Sequence, residues 1–205
     1  AWSWNQASLP ALAGGAHEAG LPIVERTAAE DGEPSVLVLV PTRELAAQVA
    51  AELDAIGRSK RLRVAAVYGG APIGSQSKRA RGAHILVATP GRLQDLIERR
   101  LVRLDSVRTL VLDEADRMLD MGFKPQVDRL MRDLPRERQT MFFSATLDGE
   151  VGDLARRYTQ FPARYEAELP AHLRVGEVEH LFVPVTADAK VSPLVDLLKE
   201  DVDGL

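Results

Sequence analysis

Short apolar runs alternate with longer amphipathic stretches along most of this chain. Five runs of four or five residues show no polar alternation, which is typical of strands buried on both faces: 36–40, 64–68, 85–88, 109–112 and 140–143. Between them apolar side chains recur at helical spacing, as Leu45, Val49, Leu53 and Ile56 do. Strands that alternate with helices in this way predict an α/β fold with a doubly wound, mostly parallel sheet.

The segment before the first strand is expected to be helical. A short helix would end at the glycine pair Gly14-Gly15, and a second helix would cover residues 16–30. Leu21, Ile23 and Val24 are predicted to form the buried side of that second helix.

The character of the chain changes after residue 168. Pro170, Gly176 and mixed charges indicate a linker over residues 169–177, and the pattern then predicts one strand at 178–185 and one helix at 192–200. One strand and one helix cannot bury a hydrophobic core of their own. We therefore expect residues 1–168 to form one domain and residues 178–205 to be the incomplete start of a second.

Each predicted strand is followed directly by a cluster of small or polar residues. These clusters are Pro41-Thr42-Arg43, Gly69-Gly70, Thr89-Pro90-Gly91-Arg92, Asp113-Glu114 and Ser144-Ala145-Thr146. Open α/β sheets bind their ligands beyond the carboxyl ends of the strands, so the clusters are expected to share one functional edge. Each cluster alone has a plain structural alternative as a helix N-cap, a turn or a strand exit.

Asp113 and Glu114 are the strongest catalytic candidates in the sequence. A carboxylate can hold a hydrated Mg²⁺ together with substrate phosphates, and a second one can orient or deprotonate a water beside a γ-phosphate. We assign the metal to Asp113 and the water to Glu114. The alternative is an acidic helix start, because Asp and Glu favour helix N-termini.

Composition narrows the class of protein. A net charge of −4 argues against a protein that coats nucleic acid through bulk charge, but leaves a local basic groove open. The absence of cysteine excludes disulfides and thiolate metal sites, and the four histidines (His17, His84, His172 and His180) lack metal-ligand spacing. With no apolar run of membrane length and no signal-peptide pattern, we expect a cytoplasmic protein without a membrane partner.

In their order and spacing, the five clusters resemble the motifs of the N-terminal RecA-like domain of DEAD-box ATP-dependent RNA helicases. Residues 41–46 read PTRELA, residues 89–92 read TPGR and residues 113–116 read DEAD, and the resemblance extends over roughly residues 36–157. It implies a RecA-like fold of the P-loop NTPase type, with ATP and Mg²⁺ as cofactors. It also implies RNA-stimulated ATP hydrolysis coupled to local duplex unwinding, with RNA held through its backbone and little sequence preference.

The resemblance also implies a role for individual residues. Asp113 would hold Mg²⁺ through water, Glu114 would be the catalytic base, and both would contact the nucleotide. Asp116, Ser144 and Thr146 would couple the nucleotide state to RNA binding, and Gln6 corresponds to the adenine-reading glutamine, although its spacing to Pro10 is short. The RNA track would comprise Pro41, Thr42, Arg43, Gly69, Gly70, Thr89, Pro90, Gly91 and Arg92.

The chain departs from the family at the phosphate loop. No segment matches G-x-x-x-x-G-K-[ST], and no lysine in the sequence follows a glycine. A strand and the loop are missing between Gly15 and Gly20, which is expected to leave unpaired strand edges beside the acidic motif and to remove the phosphate cradle. Two alternatives follow: the intact protein carries additional residues there, or it is a non-hydrolysing pseudo-enzyme that binds RNA or a protein.

Overall fold

The computed structural model describes residues 16–28 and 33–165, together with residue 195. Strands and helices alternate through this part of the chain. The strands are β1 (Val36–Leu39), β2 (Val64–Val67), β3 (Ile85–Ala88), β4 (Thr109–Leu112) and β5 (Gln139–Phe142). The helices are α1 (Ala16–Arg26), α2 (Arg43–Gly57), α3 (Ile73–Arg81), α4 (Pro90–Glu98), α5 (Ala115–Asp120), α6 (Lys124–Asp133) and α7 (Gly149–Tyr158), and a 3-10 turn covers Arg58–Lys60.

The five strands form one parallel sheet in the order β2-β3-β1-β4-β5. The fold prediction from the apolar runs is therefore confirmed. The order along the sheet differs from the order along the chain, because β1 pairs with β3 and β4 and not with β2. The connections between neighbouring parallel strands consequently include helices, as parallel pairing requires.

Two hydrophobic cores cover the two faces of the sheet, which explains why the strands lack polar alternation. On one face Leu37 and Leu39 of β1 pack in a core that includes residues of α4, α5, α6 and α7. On the other face Val36 and Val38 pack with residues of α1 and α2. Successive strand side chains point to opposite faces, so both sets must be apolar.

Helix α1 differs in part from the helix predicted for residues 16–30. Ile23 and Val24 are buried as expected, but the side chain of Leu21 is 63% exposed, so its assignment to the buried side was wrong. Pro22 lies inside α1, whose described helical residues end at Arg26 and not at residue 30. The three residues 21, 23 and 24 span too wide an arc of a helix for one narrow contact with α2 to bury them all.

The open edge of the sheet also lies elsewhere than expected. β4, the strand that leads into the acidic motif, is paired on both sides, with β1 and with β5. β5 is the terminal strand of the described sheet, and its residues are only partly buried or exposed. The prediction that unpaired edges lie beside the acidic motif was therefore wrong, because the edge is at β5, one strand beyond the strand that leads into the motif.

The chain divides by its internal contacts into two units, residues 1–167 and 168–205. The predicted linker and most of the predicted second-domain elements lie outside the described residues, as do the first predicted helix and Gln6. Val195 is helical, and its side chain is 39% exposed. Among the described residues, no helix combines the length and the apolar character that crossing a bilayer requires.

Candidate nucleotide and nucleic-acid site

The last residues of all five strands are in register. Leu39 of β1 is the partner of both Ala88 of β3 and Leu112 of β4, Ala88 is also the partner of Val67, and Leu112 of Phe142. The five residue clusters therefore begin within one or two residues of a common line across the sheet. This confirms the expectation that they share one edge.

The sheet places these clusters in two neighbouring groups, and only the first group is ordered differently along the sheet than along the chain. Residues 69–70, 89–92 and 41–43 follow the neighbouring strands β2, β3 and β1, and we call this group the glycine-rich side. Residues 113–116 and 144–146 follow β4 and β5, and we call this group the acidic side. The two sides meet between β1 and β4, whose following helices α2 and α5 contribute to the cores on opposite faces of the sheet. Such a switch point is where open α/β sheets form their binding crevice.

The acidic motif places two neighbouring carboxylates in different environments. Asp113 is 5% exposed, and its Oδ1 accepts a hydrogen bond from the backbone N–H of Glu114 at 3.1 Å. Glu114 has a left-handed backbone (φ 48°, ψ 51°), which is uncommon for a residue with a side chain and turns the chain sharply into α5. Its side chain is 40% exposed, and its Oε2 pairs with Arg117 Nη1 at 3.1 Å. One carboxylate is thus fixed at the strand end while the other reaches solvent.

Backbone hydrogen bonds join the two clusters of the acidic side. The N–H of Phe143 donates to the carbonyl of Leu112 at 2.8 Å, and the N–H of Ala115 donates to the carbonyl of Phe143 at 3.1 Å. Ser144 follows directly, so a displacement of the acidic turn would reach it through one peptide unit. This contact supports the coupling role predicted for these residues.

The predicted coupling residues Ser144 and Asp116 do not bond each other through the hydroxyl of Ser144. The buried Oγ of Ser144 has no hydrogen-bond partner, Thr146 is exposed, and Oδ1 of Asp116 accepts a bond from the backbone N–H of Arg117 at 3.0 Å. An orphaned buried hydroxyl is unusual in a folded protein and calls for a polar group that satisfies it in another state.

On the glycine-rich side, Thr42 and Arg43 connect β1 to the turn after β2. Oγ1 of Thr42 accepts a hydrogen bond from the N–H of Leu45 at 3.2 Å, so the predicted N-cap of α2 is confirmed. Arg43 is exposed, and its Nη1 would lie 3.0 Å from a Cβ placed on Gly70, whose φ is +83°. The guanidinium therefore lies against a glycine that the chain needs both for its backbone angle and for its missing side chain.

The cluster after β3 is more buried than its predicted role in an RNA track suggests. Thr89 and Pro90 are buried, and Thr89 occupies the N-cap position of α4 without a capping bond from its side chain. Arg92 is only 15% exposed, and its Nη1 donates to the carbonyl of Ala71 at 2.9 Å and to Oε1 of Gln76 at 3.0 Å. Gly91 has open space at its Cα.

Gln76 is a residue of this region that sequence reasoning missed. It lies on α3, is 1% exposed, and joins the backbone of Tyr68 to Arg92. The available signal was its position between Ile73 and Ala80, each of which lies about one helical turn from it on the same face. A polar residue between two inward-facing apolar residues predicts a buried side chain with partners.

Charges from both sides meet near the start of α2. The pKa of Glu44 is lowered, first by a hydrogen bond from its own backbone N–H and then, against the opposing effect of desolvation, by Arg43 and by the charge of Arg117. Glu44 also pairs with Arg43, Nη2 to Oε1, at 3.2 Å. Arg117 thus pairs with Glu114, which follows β4, and also lowers the pKa of Glu44, which lies after β1.

The donor chemistry of the acidic side fits a hydrated Mg²⁺. Asp113 offers a nearly buried carboxylate, and Ser144 offers a hydroxyl without a partner. Across residues 16–28 and 33–165, no three His, Asp or Glu side chains converge into a metal cluster. A site with one or two carboxylates is the arrangement in which Mg²⁺ takes its remaining ligands from water and substrate phosphates.

Comparison with known proteins gives consistent results. The family model described as DEAD/DEAH box helicase matches residues 17–154. ATP-dependent RNA helicase DbpA of Bacillus subtilis is 42% identical over 87% of this chain, and ATP-dependent RNA helicase DBP2 of Scheffersomyces stipitis is 45% identical over 82%. A crystal structure of a DEAD box protein from Methanococcus jannaschii is similar over 75% of this chain with a TM-score of 0.71 and 36% identity.

The chain spans only part of each of these proteins: 37% of DbpA, 29% of DBP2 and 42% of the Methanococcus jannaschii chain. The matched family region contains all five clusters of the functional edge. These matches, together with the parallel sheet that carries the family's motifs, show that the chain belongs to the DEAD/DEAH box helicase family.

Proposed function

We propose that this chain is the first RecA-like domain of an RNA-stimulated ATPase that unwinds short RNA duplexes. In this proposal residues 1–168 form the domain and residues 178–205 begin a second one. RNA is held through its backbone with little sequence preference, and the protein acts in the cytoplasm.

The observation that carries the proposal is the sorting of the motifs along the strand edge. Glycines and caps that suit phosphate contact lie together on β2, β3 and β1, while the carboxylates lie together on β4. A nucleic acid and a nucleotide could therefore occupy neighbouring places on one rigid sheet. The backbone bonds between the acidic turn and residue 143 give the two halves of the acidic side a direct physical connection.

Each carboxylate suits a different part of the chemistry. Asp113, buried and fixed by the N–H of Glu114, would hold Mg²⁺ through water, and the ion would neutralise charge on the phosphates. Glu114, partly exposed, would accept a proton from the attacking water at its carboxylate. Arg117 would keep that carboxylate oriented, because its guanidinium pairs with Oε2.

The test is ATP turnover by the intact protein with and without RNA, in the wild type and in Glu114→Gln. The amide cannot accept a proton, so turnover is expected to fall by about 10²- to 10⁴-fold while ATP and RNA affinities stay unchanged. Glu98→Gln is the matched control, because Glu98 is an exposed glutamate on α4 that contacts Gln94. Wild-type turnover in Glu114→Gln would refute the assignment of the base.

The second candidate function is a binding module without hydrolysis. It is favoured by one observation, the absence of a Gly-Lys pair and of a phosphate loop from the sequence. The intact mass of the purified protein separates the two candidates. A mass clearly above 22.4 kDa would support additional residues and the ATPase, whereas a mass of 22.4 kDa together with no ATP binding would support the binding module.

A further inference from the structure

A buried pair of side chains holds both ends of the Gly69-Gly70 turn. Gln76 is 1% exposed, and its amide contacts one residue of the chain twice: Nε2 donates to the carbonyl of Tyr68 at 3.0 Å, and Oε1 accepts from the N–H of Tyr68 at 3.2 Å. Tyr68 is the last residue before the turn. The residue that follows the turn, Ala71, has its carbonyl bonded to Nη1 of Arg92 at 2.9 Å.

Gln76 bonds Tyr68 on the side of β2 where the described sheet has no further strand. β2 is a terminal strand of that described sheet, and on its other side the N–H of Thr89, which follows β3, donates to the carbonyl of Val67. The N–H and C=O of the next residue, Tyr68, point away from β3, because backbone groups alternate along a strand. The side-chain amide of Gln76 satisfies both groups and so extends the ordered part of β2 up to the glycines.

The same amide then connects two loops of the glycine-rich side. Oε1 of Gln76 also accepts from Nη1 of Arg92 at 3.0 Å, and Arg92 follows Thr89-Pro90-Gly91 directly. The side chain of Arg92 is 15% exposed, so its guanidinium is held within this contact. One Gln–Arg contact therefore fixes the turn after β2 relative to the loop after β3.

We infer that Gln76, through Arg92, is a positioning residue for RNA binding: it sets the spacing between the Gly69-Gly70 turn and the 89–91 loop without contacting RNA itself. This inference depends on the proposed function, because it assigns a role to a residue behind the proposed RNA track. Two loops that contact successive phosphates must keep a fixed separation, since small displacements at a preorganised site lower affinity.

Gln76→Met in the intact protein tests the inference, because methionine fills a similar volume without donors or acceptors. The affinity for a labelled single-stranded oligouridylate is expected to fall about tenfold. The KM for RNA in the ATPase reaction should rise by the same factor while kcat at saturating RNA stays the same. Amide hydrogen exchange over residues 68–72 should become faster.

Three further variants sharpen the test. Gln94→Met is the matched control, since the amide of Gln94 bonds Glu98 on its own helix, and it should bind RNA as the wild type does. Gln76→Glu keeps acceptors for Arg92 and for the N–H of Tyr68 but loses the donor to the carbonyl of Tyr68, so its affinity should lie between those of the wild type and Gln76→Met. It keeps the test valid if the methionine variant folds poorly. Gln76→Met combined with Arg92→Met should weaken binding by less than the sum of the two single changes, because both break the contact between Gln76 and Arg92.

The inference is overturned if Gln76→Met binds RNA like the wild type, if RNA and ATP affinities fall together, or if exchange over residues 68–72 is unchanged. These outcomes differ from a failure of the proposed function. If the wild-type protein itself binds no RNA, the proposed function and this role fall together, but the hydrogen-exchange result still shows whether Gln76 holds the turn.

Discussion

The two sides of the strand edge differ in how completely their polar groups are satisfied. On the glycine-rich side, Thr42 caps α2, and Gln76 and Arg92 bond the backbone at both ends of the glycine turn. On the acidic side, the Oγ of Ser144 is buried without a partner, and Thr146 is exposed.

This difference indicates which side of the strand edge still has polar groups available for further hydrogen bonds. A loop whose groups are bonded internally is already in its working shape, so it can bind a ligand with little loss of conformational entropy. A side with an orphaned buried hydroxyl keeps a polar group that can still form a hydrogen bond when another group approaches.

The largest expected effect on stability comes from a substitution in the segment that follows β5 on the acidic side. A Cβ on Gly152 would lie 2.4 Å from the carbonyl oxygen of Leu147, a backbone atom that cannot move without shifting the exit from β5. Gly152→Ala is expected to lower the free energy of unfolding by about 2–3 kcal/mol, measured by urea denaturation. Gly74→Ala on α3 is the control, because open space surrounds Gly74, and alanine should stabilise its helix by about 0.5–1 kcal/mol. Equal stability of both variants would mean that the exit from β5 is loosely held.

The next effect concerns the glycine turn. Gly70 has a φ of +83°, and a Cβ added to it would lie 3.0 Å from Nη1 of Arg43. Gly70→Ala should therefore lower the free energy of unfolding by about 1–2 kcal/mol. Displacement of Arg43 should also weaken RNA binding, by about tenfold in fluorescence anisotropy. Gly69→Ala, which has open space and no positive φ, should leave both quantities nearly unchanged. Similar losses in the two variants would contradict the prearranged turn.

The smallest effect compares one hydroxyl from each side. Thr42→Ala removes the N-cap bond to the N–H of Leu45 and should cost about 1 kcal/mol. Ser144→Ala removes a hydroxyl that has no partner, so the unfolding free energy should change by less than about 0.5 kcal/mol or rise. Thermal denaturation of this chain measures both. A larger loss in Ser144→Ala than in Thr42→Ala would reverse the comparison between the two sides.

The sequence predicted those features that depend on local pattern. Apolar runs without alternation located the strands, and the residues after them, such as Asp113 and Thr42, were correctly expected at one edge. Lateral order was not predictable, because a strand such as β2 carries no local mark that it will be terminal in the sheet. The open edge was therefore placed one strand away from where it lies.

Side-chain contacts between elements were equally beyond the local pattern. Leu21 fitted the helical period and is nevertheless exposed, because the packing of α1 on α2 decides which residues of the period are covered. The burial of Arg92 follows from Gln76 and Ala71, which lie 16 and 21 residues away. Tertiary partners at such separations cannot be derived from the residue types at one motif.

The central position of β1 has a consequence for how the chain folds during synthesis. Among the described strands β1 comes first along the chain, yet its partners β3 and β4 begin 49 and 73 residues later, at Ile85 and Thr109. Until then a wholly apolar segment has no partner strand, which slows folding and exposes it to aggregation. Nascent chains that end before residue 85 should therefore require chaperones, and chains that extend past residue 112 should become protease-resistant together with their first four strands.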